Sequence, residues 1–269
     1  MAGEGATPDA VNSPAPGWTP PPPPFGVRIG TSGWTYGSWR GPVYPPGVPD
    51  AMRLEFYTER LFDTVELNAS FYRWPGEAAF RSWRRRLPPG FLLSVKAPRA
   101  LTHSSRLAEP ERWIPRMTAS LSILGDRLGV LLVQLPPGLA RDDARLEHFL
   151  AALPAGLPTA VEFRHDSWHT EDVFYLLERR GAAYVVTSGA GLPCILRATT
   201  GFVYVRFHGP DTVHLYAGSY DDDAMRWWAQ RIDEWRRRNL AVLAYFNNDA
   251  DGNAVRNGQT LRRLLSELA

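Results

Sequence analysis

The 269-residue sequence contains a single cysteine, Cys194. An intrachain disulfide and a cysteine-rich metal cluster are thereby excluded, and one thiol without an activating neighbour fits an inert residue in a reducing compartment. No segment approaches the roughly 20 consecutive apolar residues that a membrane-spanning helix requires. The N-terminus also lacks the basic start and apolar stretch of a secretory signal, so a cytoplasmic protein without membrane contact is expected. Charge of one sign is not in excess either: 30 Lys and Arg face 28 Asp and Glu, a formal net charge of +2. That balance gives no compositional reason to expect a nucleic-acid partner. Neither a G-x-G-x-x-G turn nor a Walker loop occurs, which removes two common nucleotide-binding signatures.

Residues 1–24 have no hydrophobic periodicity and include the run Pro20 to Pro24. Such a stretch cannot offset its ordering entropy by burying a core, so a disordered proline-rich tail is expected there. From Val27 onward, short β-rich runs alternate with helical patterns, as in βα units on a parallel sheet. Strands are predicted at 27–33, 64–71, 92–98, 129–135, 159–165, 182–188, 203–208 and 241–247. Helices are predicted near 51–61, 77–86, 111–125, 142–152, 171–180, 222–238 and 254–268, while the Gly189 to Gly201 connection is too short and glycine-rich for one. Eight strands in one α/β domain over 25–269 fit a TIM-type (β/α)8 barrel better than an open sheet. The triads Arg84 to Arg86 and Arg236 to Arg238 close two of the helices, where cations suit the helix dipole.

Several strands break their apolar pattern on one parity only. Strand two alternates Val65, Leu67 and Ala69 with Glu66, Asn68 and Ser70; strand three adds Ser94 and Lys96. Strand five adds Glu162 and Arg164, strand seven Arg206 and His208, strand four Gln134 and strand eight Asn247. In a barrel these sides converge on the axis near the strand C-termini, the face where barrel enzymes keep their sites. Buried charges in such number must pair, bond to one another or meet solvent.

Glu66, Lys96, Glu162 and His208 are the candidate catalytic residues. Two carboxylates in unequal surroundings can divide general-acid and general-base roles. A desolvated lysine among arginines can act as a base or Schiff-base nucleophile, or hold an anion, and a histidine at a strand end can shuttle protons. Trp34, Tyr36, Asn68, Tyr72, Gln134, Arg164, Arg206, Tyr216 and Asn247 are the candidate substrate-binding residues. Aromatic walls around a polar floor suit a flat polar ligand or a sugar ring. A purely structural ion network remains the bland alternative.

Metal chemistry is the weaker reading. His165 and His169 straddle a strand-to-helix loop, where their spacing does not place both on one face. Asn247, Asp249, Asp251 and Gly252 superficially suggest a calcium loop, but the twelfth place falls on Gly258 instead of a bidentate Glu. Asp221, Asp222 and Asp223 precede a long helix as cap and dipole partners.

The same segments carry a family resemblance. Gly30-Thr31-Ser32-Gly33-Trp34 with Tyr36 and Trp39, Val65-Glu66-Leu67-Asn68-Ala69-Ser70-Phe71-Tyr72, and Lys96-Ala97-Pro98 resemble the YecE-like proteins, the domain of unknown function 72. The likeness continues through Gln134-Leu135-Pro136-Pro137, Val161-Glu162-Phe163-Arg164-His165 with Trp168, Arg206-Phe207-His208-Gly209 and Tyr245-Phe246-Asn247-Asn248-Asp249. The resemblance implies a TIM-type barrel and no established reaction.

The favoured expectation is a metal-independent acid-base enzyme acting on a polar, anionic small molecule such as a sugar phosphate. No cofactor is expected, a divalent metal stays open, and the oligomeric state is not legible. The alternatives are a nucleic-acid-binding or phosphodiester-processing protein, using Arg40, Arg73, Arg99 and Arg106 for phosphates, and a non-catalytic ligand-binding barrel.

Overall fold

The computed structural model describes residues 26–189, 191–211 and 213–268. The tail expected over 1–24 lies outside the described residues. Eight parallel strands follow in order: β1 (Val27–Ser32), β2 (Thr64–Leu67), β3 (Leu92–Lys96), β4 (Leu128–Gln134), β5 (Thr159–Glu162), β6 (Ala182–Ser188), β7 (Phe202–Phe207) and β8 (Ala241–Phe246). Each pairs with the next and β8 closes on β1, so the sheet has no free edge. Around it lie α1 (Arg53–Arg60), α2 (Ala69–Tyr72), α3 (Glu77–Arg86), α4 (Ile114–Ser122), α5 (Asp143–Ala152), α6 (Glu171–Arg180), α7 (Asp222–Arg237) and α8 (Asn253–Glu267). The chain therefore adopts the expected TIM-type (β/α)8 barrel.

The helices end as their sequences suggest. Asp142 and Asp221 accept hydrogen bonds from the backbone N–H of Arg145 and Ala224, capping α5 and α7. The arginine triads close α3 and α7, with Arg86 paired to Glu55 and both Arg236 and Arg237 paired to Asp233. No helix separates β6 from β7 among the described residues; Thr199 Oγ1 instead accepts from Tyr184 N (2.8 Å) and donates to Ala182 O (2.7 Å).

Alternating side chains divide the interior into two cores. Outward-facing Val65, Val95, Leu131, Val133, Val161, Val205 and Phe246 pack under the helices against Tyr57, Phe80, Leu121, Phe149, Leu177, Ile232 and Leu261. Inside the barrel, Leu92, Val130, Leu132, Ala160, Ala183, Val185 and Leu243 fill the lower lumen together with the rings of Tyr204 and Tyr245. Fully burying such a side chain contributes about 1.5–3 kcal/mol. The two tyrosines turn the apolar filling into a polar floor, because Tyr245 OH meets Thr64 Oγ1 (2.7 Å) and Ser94 Oγ (2.9 Å) and Tyr204 OH donates to Glu66 (2.7 Å).

Strand two is shorter than its alternation predicts. It stops at Leu67, Asn68 takes a helical conformation, and residues 69–72 form the single turn α2. Ser70 Oγ donates to the carbonyls of Leu67 (2.9 Å) and Lys96 (2.7 Å), and this side-chain bonding to backbone competes with continued pairing. Ser70 thus leaves the polar strand face, and Phe71 and Tyr72 arrive at the barrel mouth.

The loop after β7 depends on Gly209, whose φ of +88° is costly for other residues and whose added Cβ would lie 2.1 Å from the Ala217 carbonyl oxygen. Gly209→Ala should therefore destabilise the protein by about 2–3 kcal/mol and lower the melting midpoint by about 5–10 °C. A calorimetric scan showing an unchanged midpoint would remove this constraint.

Candidate functional site

The lumen above the tyrosine floor is organised by one cation. Arg206 on β7 is fully buried and reaches Glu66 on β2 (2.7 Å) and Glu162 on β5 (2.5 Å) from its two terminal nitrogens. Glu66 also accepts from Ser32 Oγ (2.6 Å) and Tyr204 OH, while Glu162 accepts from Gln134 Nε2 (2.9 Å) and Arg164. Both carboxylates are thus surrounded by donors, as burial demands. Burial by itself would raise the Glu162 carboxyl, but Arg164, Arg206 and His208 outweigh it and hold it well below the usual carboxylate range.

His208, fully buried just past β7, sits with Nε2 3.1 Å from Arg164 and 3.3 Å from Glu162, and its Nδ1 faces the Asn247 amide at 3.4 Å. Burial pushes the imidazole down to about 4; Glu162 opposes this, and Arg206 and Arg164 assist it. At neutral pH the ring is uncharged. Tyr216 leans over it with ring centroids 5.6 Å apart. The Tyr216 backbone has φ of +70°, a left-handed conformation for a bulky residue, and its N–H donates to the His208 carbonyl (2.9 Å). Holding such a residue there costs about 1–3 kcal/mol, strain of the kind that collects at working sites.

Above this network opens a cavity of about 430 Å³. Trp34, Tyr36, Phe71, Tyr72, Trp83 and Tyr216 form its walls; Asn68, Lys96, Asn247 and Asp249 supply polar groups. Lys96, only 6% exposed, lays Nζ against the face of Phe71, 4.2 Å from the ring centroid. Phe71 is itself fixed edge-on by His103 at 4.9 Å. Among the described residues Nζ has no carboxylate partner, since Glu66 and Glu162 turn to Arg206 and Arg164. Burial chiefly, then Arg206, pushes the amine down to about 7, Glu162 and Glu66 opposing and Arg164 assisting.

Asp249 lines the same cavity beyond β8. Its carbonyl accepts from Trp39 Nε1 (2.7 Å), which anchors the residue, and burial raises its carboxyl against the opposing bond from Tyr36. Tyr36 is held by its bond to the Ser32 carbonyl, and burial together with Asp249 raises its phenol.

The structure sorts the sequence-derived candidates into two tiers. Trp34, Tyr36, Asn68, Tyr72, Lys96, Tyr216 and Asn247 line the cavity. Glu66, Gln134, Glu162, Arg164, Arg206 and His208 form the network that meets at Glu162 and Arg206. Other loop aromatics, Trp39, Tyr44, Trp168 and Tyr220, are buried packing residues. Sequence reasoning missed Asp249, Phe71 and Trp83 as wall residues. The signal for Asp249 was its position two residues after Asn247, at the end of a barrel strand. Asp251 and Gly252 form a turn that enters α8.

The two histidines weighed as metal ligands are engaged elsewhere, His165 with Ser167 and His169 with Tyr184, and exposed His214 bonds to Asp211. Among the described residues, no group of three or more His, Cys, Asp or Glu side chains is arranged to hold a metal ion. No helix among them is long and apolar enough to cross a membrane.

The two tiers respond oppositely to substitution. Folding lowers the Lys96 pKa from 10.5 to about 7, so its charge costs stability below pH 10.5, increasingly so down to about pH 7. Lys96→Met should raise the melting midpoint at pH 7 by about 2–5 °C, a gain that shrinks as pH approaches 10 in denaturant titrations. A fall at pH 7 would mean that the amine is paired. Glu162 has a depressed pKa, so its contribution is present above pH 4.5 and is lost as pH falls through the folded value. Glu162→Gln should cost about 3–5 kcal/mol at pH 7, the deficit narrowing in acid; a pH-independent deficit would show that the charge is immaterial.

Comparison with known proteins places the geometry in context. The family model described as "Protein of unknown function DUF72" matches residues 28–269. UPF0759 protein YunF of Bacillus subtilis is 27% identical over 272 residues, covering 89% of this chain and 94% of that protein. Among solved structures, a DUF72 family protein from Thermotoga maritima is similar with a TM-score of 0.82 at 29% identity, over 90% of this chain and 99% of that one. A DUF72 family protein from Enterococcus faecalis has a TM-score of 0.75 at 18% identity, over 89% of this chain and 95% of that one, a likeness of fold alone.

Proposed function

The chain belongs to the DUF72 family, and from its barrel mouth we propose that it is a metal-independent acid-base enzyme acting in the cytoplasm on a small polar molecule with an anionic group, such as a sugar phosphate. One observation carries this reading: a buried lysine without a carboxylate partner among the described residues, its amine pushed down to about 7, faces a cavity of small-molecule size. Such an amine exchanges protons at neutral pH, and when protonated it attracts an anion.

In this reading Lys96 moves the proton, and Asp249 with Tyr36 stands ready to exchange one at another wall of the cavity. Asn68 and Asn247, whose amides approach each other at 3.4 Å, orient hydroxyl or carbonyl groups. Trp34 and Tyr216 cover the carbon skeleton. Glu66, Glu162, Arg164 and Arg206 act through position and field: among the described residues their ion pairs leave the lysine without a counter-ion, and the uncharged His208 ring packs beside Arg164 and Glu162. Arg164 and Arg206 would attract an anion electrostatically from beneath and not by gripping it.

Tyr72, 82% exposed at the rim beside exposed Arg73, favours a second reading in which a nucleic-acid strand stacks on the mouth. Against it, the Arg40 guanidinium is engaged by Asp50.

A thermal-shift screen of sugar phosphates, carboxylates, nucleotides and abasic DNA, followed by turnover assays on the hits, separates these readings. The expected result is stabilisation by an anionic small molecule, turnover whose kcat/KM rises toward a plateau above about pH 7, and loss of at least about 100-fold in kcat in Lys96→Met. Tight binding without turnover would make the barrel a ligand binder. Salt-dependent stabilisation by DNA alone would overturn the small-molecule reading.

A further inference from the structure

Among the 30 Lys and Arg residues of this chain, Lys96 is the one lysine. Every other such position, including all the solvated helix ends, carries arginine. The chain therefore meets its needs for fixed positive charge, salt bridging and surface solubility with a guanidinium. At residue 96 it retains the side chain that differs from arginine in one chemical respect above others: its nitrogen can give up a proton at physiological pH and become a nucleophile. A role in holding an anion by charge alone does not require that difference.

We propose that Lys96 is a Schiff-base nucleophile and that the substrate is an aldehyde or ketone. This deepens the small-molecule reading of the same cavity and rests on it. The geometry supports a covalent role in three ways. The amine ends a barrel strand and opens upward into the cavity, its Nζ backed by the Phe71 ring at 4.2 Å, so an electrophilic carbon approaches from the cavity side. Among the described residues no hydrogen-bond acceptor fixes the direction of the Nζ protons and no donor occupies its lone pair. The ring face behind it also stabilises a cation, and so serves an iminium as well as an ammonium.

The condensation balances within the groups present. The Nζ lone pair attacks the carbonyl carbon, the C–O π bond breaks, and the oxygen takes up a proton while nitrogen loses one, leaving a carbinolamine. Protonation of that hydroxyl lets it depart as water as nitrogen forms the C=N bond, leaving an iminium; its remaining N–H proton returns to the carboxyl that supplied the one taken up, so amine and carbonyl give imine and water. Asp249, anchored through its carbonyl by Trp39 and in contact with Tyr36, is the wall carboxyl that delivers the proton. The titratable and charged groups around Nζ are Arg206 on β7, Glu162 and Arg164 on and just beyond β5, Glu66 on β2 and His103 after β3, with Asp249 across the cavity. The arginines disfavour its protonation and the buried glutamates oppose them, already engaged by those arginines.

A lone lysine makes the test unambiguous, because the only other primary amine is the N-terminal one. The full-length protein would be incubated separately with glyceraldehyde 3-phosphate, pyruvate and pyridoxal 5′-phosphate, each with sodium cyanoborohydride, and examined by intact mass and peptide mapping. The expected outcome is a reduced adduct on the peptide holding Lys96 for at least one carbonyl probe, with a yield that rises from pH 6 to pH 8. The adduct should be absent in Lys96→Arg, and Asp249→Asn should form it at least about tenfold more slowly. Melting midpoints of both variants would establish that they fold, and mapping on the unaltered protein does not depend on either.

Adducts confined to the N-terminal amine overturn the proposal. If sugar phosphates without a free carbonyl stabilise the protein and are turned over while no probe is trapped at Lys96, the Schiff base falls and the acid-base reading stands. If neither trapping nor small-molecule stabilisation occurs, both fall.

Discussion

The barrel mouth depends on Arg206 lying between Glu66 and Glu162 in the lumen. A guanidinium can bond to two carboxylates in different directions at once, and its charge cannot be given up on burial. The network occupies space that an apolar layer would fill at lower desolvation cost. Its chemical effect is to absorb the anions. With Arg206 and Arg164 bonded to the glutamates, Lys96 has the field of two guanidinium groups beneath it and, among the described residues, no carboxylate paired to it.

The layers below and above make that arrangement possible. Tyr204 and Tyr245 carry the transition from hydrocarbon to ion pairs, each burying a ring below and offering a hydroxyl above. At the top, the early end of β2 swings Phe71 under the lysine nitrogen, and the Gly209 turn returns the chain so that Tyr216 covers His208. Phe71 covers one side of the amine, and desolvation is the largest cause of its lowered pKa.

Much of this was legible in the residues. Eight β-rich runs, the missing sixth helix and the one-sided polarity of strands two, three, five and seven point to a barrel with charges on its axis, because side-chain alternation in a strand is local and nearly independent of context. Less legible was which polar residues touch a ligand. Glu66 and Lys96 share a parity in the pattern, yet one is enclosed by Ser32, Tyr204 and Arg206 while the other opens into a cavity. The strand-two pattern ran on through Ser70 because nothing local announces that a serine will bond to the carbonyl of Lys96 across the sheet. Asp249 was not legible as a wall residue for the same reason: its neighbours Tyr36 and Trp39 are more than 200 positions away.

By itself, the sequence determined the barrel, the strand faces that look inward and the presence of one lysine among arginines, because these follow from periodicity and composition. Tertiary structure decided the division of labour. Proton affinity depends on burial and on the charges within a few ångströms, and those neighbours come from β2, β5, β7 and the loops after β1, β3 and β8, brought together only when the sheet closes.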